Sequence, residues 1–172
     1  MLQDLRAVNK IMVIFGALQP GLPSPGAIPS EMYKIVLDLK DCFFSIPLHP
    51  DDCPCIVFSL PSTNYKEPMQ HFQWKVLPQG MTNSPTLCQK IVAHIHAPIR
   101  AQWPDMYMVH YMDDILLAGS DPQATMLCCN QVICVFTQSG FQIAPDKIRT
   151  ADPYTFLGFR LQGSCVLLQK SN

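Results

Sequence analysis

The chain has 172 residues, 48% of them apolar and 15% charged, with a formal net charge of −1. This length suits one domain of ordinary size or part of a larger one, and this apolar content excludes a disordered chain. No apolar run reaches the roughly 18 residues of a membrane span, MLQDLRAVNK is no secretory signal, and the lack of a basic excess runs against nucleic-acid binding.

Residues 1–15, MLQDLRAVNKIMVIF, suit a short strand or a turn of helix. GALQPGLPSPGAIPS follows, with four prolines and three glycines, and reads as an irregular connection. YKIVLDL, residues 33–39, is an apolar run of strand length. Pro47 and Pro50 interrupt the stretch after it. CIVFSL (55–60) and FQWKVL (72–77) form a candidate hairpin. In PQGMTNSPT, Ser84 is the expected N-cap and Pro85 the first residue of a helix. Leu87, Ile91, His94 and Ile95 give that helix its spacing, and Pro98 is expected to kink or end it. Residues 107–111 and 115–118 read as strands around Met-Asp-Asp. Asp121 and Pro122 repeat the cap pattern, with Ala124, Leu127, Cys128, Val132, Val135 and Phe136 on one helical face and Gly140 as the stop. TFLGFRL and SCVLLQ suggest a last hairpin. Two helices among many hairpins predict an α+β domain, an antiparallel sheet covered by helices on one face.

Eight cysteines are present without a CxxC pair, and Cys88, His94 and His96 lack a partner pair at zinc spacing. With no secretory signal, reduced and mostly buried thiols are expected.

Asp113 and Asp114 adjoin each other between apolar runs. In a regular strand they would point to opposite faces, but at a tight turn both can approach one point. Two carboxylates about 4 Å apart repel by roughly 4 kcal/mol at an effective dielectric of ~20. Protonation or a bound hard cation such as Mg²⁺ would offset that cost. Asp38 ends an apolar strand, where a bare carboxylate is unfavourable. If that strand neighbours the hairpin, three carboxylates converge and could hold two metals for displacement at phosphorus. A simple turn preference of aspartate is the plainer alternative.

YMDD between apolar strands resembles the signature of retroviral reverse transcriptases. Other segments match in order. LQDLRAVN and LQPGLPSPGAIP look like the end of the first fingers hairpin and the loop after it. VLDLKDCFFSIPL looks like the first palm motif, FQWKVLPQGMTNSPT like the motif after the fingers, and SGFQIAPDKI and TFLGF like later palm motifs. Within that family the chain most resembles betaretroviruses and class II (K-type) endogenous retroviruses.

The resemblance implies an antiparallel palm sheet with partial fingers hairpins. Fingers-like parts would span about 1–37 and 45–80, and the palm about 38–44 and 81–172. Asp38, Asp113 and Asp114 would be catalytic and bind two Mg²⁺, or Mn²⁺, with the Leu39 carbonyl. Asp41, Cys42, Phe43, Gln79 and Met112 would surround the incoming dNTP. Phe43 would exclude a 2′-hydroxyl, although Phe44 competes for that role and either could be a core aromatic. Arg6, Gly80, Tyr111, Phe156, Leu157 and Gly158 would serve the template-primer. Arg6 could instead pair with Asp4, Tyr111 could be strand core, and residues 156–158 could be a plain hairpin. Lys147 would be a general acid toward pyrophosphate or a solvated surface lysine.

The implied partners are an RNA or DNA template with primer, dNTPs, and the remaining Pol regions, with no membrane. The implied location is cytoplasmic, in the virion for an ancestral virus. Against the family pattern, the triphosphate-gripping segment, thumb, connection and RNase H fall outside the chain. Their basic residues would help explain the net charge, and their absence predicts poor activity of the isolated chain. The rival expectation is an inactive relic of an endogenous element, at most an interaction fragment.

Overall fold

Two apolar strands organise the molecule, whose computed structural model describes residues 4–16, 24–163 and 165–168. Strand β1 (Tyr33–Lys40) and strand β5 (Asp114–Gly119) pair antiparallel, from Tyr33 opposite Gly119 to Asp38 opposite Asp114. Before them in chain order comes helix α1 (Arg6–Ile11), and between them β2 (Val57–Leu60), β3 (Gln70–Gln73), α2 (Ser84–Gln102) and β4 (Tyr107–Tyr111). After them come α3 (Pro122–Gln138), β6 (Gln142–Ile143), β7 (Tyr154–Phe156), β8 (Phe159–Gln162) and β9 (Cys165–Leu168). The central sheet has the order β4-β5-β1-β6, and its pairings are antiparallel.

Side chains alternate across a strand, so β1 and β5 each feed two cores. Ile35, Leu37, Leu39, Ile115 and Leu117 face α2 and α3, joining Cys88, Val92, Val132 and Phe136. Val36, Leu116 and Ala118 face the other way, against Ile28 and the β7-β8-β9 sheet through Tyr154, Phe156 and Leu161. The expected α+β architecture is present, with helices on one face of the central sheet. The other face is partly covered by the smaller sheet. β1 crosses the expected boundary at residues 37–38 without a break.

Of the two expectations for the first segment, the helix is the one present. Several other local expectations are corrected. The irregular connection over 16–30 lies partly outside the described residues. The 55–60 and 72–77 hairpin is shorter and shifted, held by the cross-strand pair Phe58 and Phe72, whose rings stack at 5.5 Å. Asn83, not Ser84, stands at the N-cap position of α2, without a side-chain cap hydrogen bond, and Ser84 is the first helical residue, its hydroxyl donating to the Pro78 carbonyl at 2.8 Å. Pro98 does not end α2. It lies on the exposed side, as does His94 one turn before, so water can reach the carbonyl Pro98 leaves without a donor. Buried Ile99 and the Arg100 guanidinium, donating to the Met108 carbonyl at 2.8 Å, hold the last turn. The deep stripe of α2 is Cys88, Val92, His96 and Ile99, while Leu87, Ile91 and Ile95 are only partly buried and His94 is exposed. In α3, Leu127 faces outward and Thr125 and Cys129 take buried places. Asp121 caps α3 as expected, accepting from the Gln123 and Ala124 amides. The eight cysteines are free, five of them buried.

His96 and His110 stack at 5.4 Å inside the helix-side core, and Phe136 meets His96 edge-on at 5.0 Å. Neither ring nitrogen of His96 has a hydrogen-bond partner among the described residues. Burial, with His110 and Arg100 adding to it, pushes His96 down to about 3. The unfolded chain takes up this proton near pH 6.5, so stability is full above that pH and is lost below it. His96 alone costs on the order of 2 kcal/mol by about pH 5. Urea unfolding at stepped pH is expected to show His96→Leu losing less stability than wild type on acidification. Parallel losses in the two proteins would contradict this.

Candidate active site

The β4-β5 hairpin turns through two residues, since Tyr111 pairs with Asp114 and leaves Met112 and Asp113 between them. Met112 has φ +56, a left-handed conformation that costs a non-glycine residue about 1–3 kcal/mol. Two contacts hold it there. The Met112 amide donates to Gln89 Oε1 at 2.7 Å, and the Leu39 amide donates to the Asp113 carbonyl at 2.8 Å. Gln89, buried in α2, also donates to the His110 carbonyl at 3.4 Å. Sequence reading missed Gln89. Its only signal is a polar residue on the inner side of a helix.

Asp38 and Asp114 are direct cross-strand partners, so their side chains share the sheet face turned away from α2 and α3. Asp113 is the second residue of the turn, adjoining Asp114 in the chain. Burial raises the Asp113 carboxyl above the ordinary range, and Asp38 adds to the rise. Burial, then Asp113, then Asp38 push Asp114 up to about 6. Lys147 sets its Nζ 3.1 and 3.0 Å from the two Asp38 oxygens, and this contact raises the lysine. As the side chains stand, no three His, Cys, Asp or Glu among the described residues are grouped to hold a metal ion.

A cavity of about 230 Å³ opens here, lined by Asp38, Asp41, Phe43, Gln79, Met112 and Lys147 among others. Leu39, Cys42 and Asp113 also reach it. Phe43 faces the cavity, whereas Phe44 stacks on Trp74 at 5.9 Å. Asp41, at φ +51, turns the chain from β1 into the 3-10 turn Cys42–Ser45.

Other expected residues lie outside this cavity. Gly80, at φ +89, shapes the loop before α2. Asn9 clamps that loop, donating to the Gly80 carbonyl and accepting from the Thr82 amide, each at 2.9 Å. Arg6 forms an exposed pair with Asp4 at 2.7 Å. Tyr111 is the last residue of β4. Leu157 and Gly158 make the β7-β8 turn, both with positive φ, and Phe156 is buried in the second core.

The folded Asp114 carboxyl holds its proton to about pH 6, against 3.8 for the ordinary group. Ionising it therefore lowers stability as the pH rises through that window. In metal-free buffer above pH 6, Asp114→Asn is expected to be more stable by about 1–2 kcal/mol, after allowance for solvent. Denaturant midpoints on both sides of the window check this. A variant no more stable than wild type at neutral pH would contradict it.

The reverse transcriptase (RNA-dependent DNA polymerase) family model matches residues 1–161. The Gag-Pro-Pol polyprotein of Mason-Pfizer monkey virus is 61% identical over 171 residues, covering 99% of this chain and 10% of the polyprotein. That of squirrel monkey retrovirus is 60% identical over 161 residues, 94% of this chain and 9% of the polyprotein. That of mouse mammary tumor virus is 51% identical over 170 residues, 99% of this chain and 10% of the polyprotein. The chain thus spans about a tenth of the length of these curated relatives. No helix among the described residues is long and apolar enough to cross a membrane. The match over most of its length, with the ordered motifs now seen around one acidic hairpin, means that the chain belongs to the reverse transcriptase (RNA-dependent DNA polymerase) family.

Proposed function

We propose that this chain carries the nucleotidyl-transfer centre of an RNA-directed DNA polymerase, adding dNTPs to a primer on an RNA or DNA template. The carrying observation is the cross-strand pairing of Asp38 with Asp114, one residue from Asp113. Residues of about 45–80 are the fingers-like part, and the central sheet with α2 and α3 is the palm. The other Pol regions supply the remaining grip on substrates.

The donor set fits divalent cations. Carboxylates supply hard oxygens, Asp113 and Asp114 hold protons more tightly than usual, and the Lys147 ammonium neutralises Asp38, so turning these side chains toward one another would make a cation site. Asp38, Asp113 and Asp114, with the Leu39 carbonyl, would hold two Mg²⁺, or Mn²⁺. When bound, these ions lower the cost of charge on the attacking hydroxyl and on the phosphate. Phe43 limits the space beside the sugar and disfavours a 2′-hydroxyl. Asp41, Cys42, Gln79 and Met112 shape the rest of the nucleotide cleft. Lys147 stands at the cleft with a proton to give to the leaving pyrophosphate. Arg6, Gly80, Tyr111 and the 156–158 turn support the template-primer.

The test grafts residues 1–161 in place of the matching segment of the Mason-Pfizer polyprotein's polymerase region. Mg²⁺-dependent extension of oligo(dT) on poly(rA) is expected, falling to background with Asp113→Asn. Equal extension by graft and variant would overturn the assignment. Phe43→Ala is expected to raise ribonucleotide use relative to deoxynucleotide by about ten- to a hundredfold. An unchanged ratio would remove Phe43 from that role.

A further inference from the structure

Two thiols meet at the inner end of the cleft. Cys42 begins the 3-10 turn that carries Phe43, and Cys88 lies in the early turns of α2, one residue before Gln89. Their Sγ atoms are 2.9 Å apart, and both residues are free and buried. A disulfide needs a sulfur separation of about 2.05 Å, so closure asks for a movement of about 0.9 Å. Both residues line the same cavity as Asp38, Phe43 and Gln79, and Cys42 keeps a small exposed edge there while Cys88 lies wholly behind it, so a small reagent entering the cleft meets Cys42 first.

We propose that Cys42 and Cys88 form an oxidative modification site, joined in a disulfide by a small two-electron oxidant of the peroxide class. One thiolate attacks a peroxide oxygen, the O–O bond breaks, and a sulfenic acid and water form. The second sulfur then attacks the sulfenic sulfur and releases another water. Two thiols and one hydrogen peroxide thus give one disulfide and two waters. Other cysteines are placed less well. Cys128 and Cys129 are chain neighbours within α3, and the Cys53 thiol donates to the His49 carbonyl at 3.4 Å. The hydrogen bond to Cys88, and then burial, hold the Cys42 thiol in its neutral form. Oxidation is therefore slow and faster at alkaline pH.

The cross-link ties the turn carrying Phe43 to the helix carrying Gln89, which supports Met112. Drawing these together displaces both walls of the cleft. The bond itself stands apart from any catalytic reading, and its effect on nucleotide binding rests on the function proposed above.

The test incubates the full chain with hydrogen peroxide at mildly alkaline pH, alkylates it and maps peptides without reduction. Trypsin releases Cys88 within residues 76–90 and Cys42 within 41–66, and cleavage at Phe43 or Phe44 separates Cys42 from Cys53 and Cys55. A Cys42–Cys88 peptide, lighter by two hydrogens than its parts and absent from Cys88→Ala, is expected ahead of any other link. Cys42 and Cys88 remaining alkylatable after unfolding, while exposed Cys55, Cys134 and Cys165 oxidise, would overturn the proposal, as would preferential links to Cys53 or Cys55. Binding of a labelled dNTP to the graft described above, which keeps the other Pol regions, is expected to weaken by about tenfold or more once this cross-link has formed and to recover with dithiothreitol. Unchanged affinity in a cross-linked chain would refute closure of the cleft. Absence of nucleotide binding before oxidation would count against the nucleotide reading, while the peptide map still decides the bond.

Discussion

The register between β1 and β5 is the constraint on which the structure rests. Because side chains alternate with period two, a slip of one residue would turn Asp38 toward the helices and Leu37 and Leu39 away from them. The charged side chains forbid that slip, since it would press Lys34 and Asp38 into the apolar helix-side core. The register, with Ile35, Val36 and Leu37 on one strand and Ile115, Leu116 and Leu117 on the other buried, thus fixes where two carboxylates meet.

That meeting is electrostatically costly, and the surroundings show how the cost is contained. Asp38 and Asp114 pair where the β1-β5 ladder ends, and Asp38 and Asp113 line the cleft beside it. Lys147 approaches Asp38 from the segment after β6, a part of the chain distant in sequence. Asp114 responds by holding its proton to about pH 6. A site that stores unfavourable charge in the absence of cations is one that gains when cations bind, which is the physical link between this geometry and polymerase chemistry.

Around the acids, buried polar contacts set the shape of the turn. Gln89 holds Met112 in a conformation that its own side chain disfavours, and Asn9 holds the loop at Gly80. Both reach across from helices. The cleft is therefore a product of α1, α2 and the central sheet together, and the thiol pair lies where two of these elements come closest.

The sequence by itself determined a good deal. The apolar runs announced β1 and β5, the Asp121-Pro122 pattern announced α3, and YMDD with its ordered companions pointed to the family. Local rules went astray where tertiary contacts outweighed them. Ser84 sits inside the helix with its hydroxyl on the Pro78 carbonyl of the preceding loop, and Pro98 stayed helical because the carbonyl it frees lies on the exposed side. The inner face of α2 was hidden because a cysteine, a glutamine and a histidine occupy positions that an apolar pattern search passes over. Only the tertiary structure decided that Phe43 and not Phe44 faces the cleft, that Lys147 reaches Asp38, and that Gln89 supports the turn. Each depends on the approach of segments far apart in the chain, a distance that neither periodicity nor local propensity encodes.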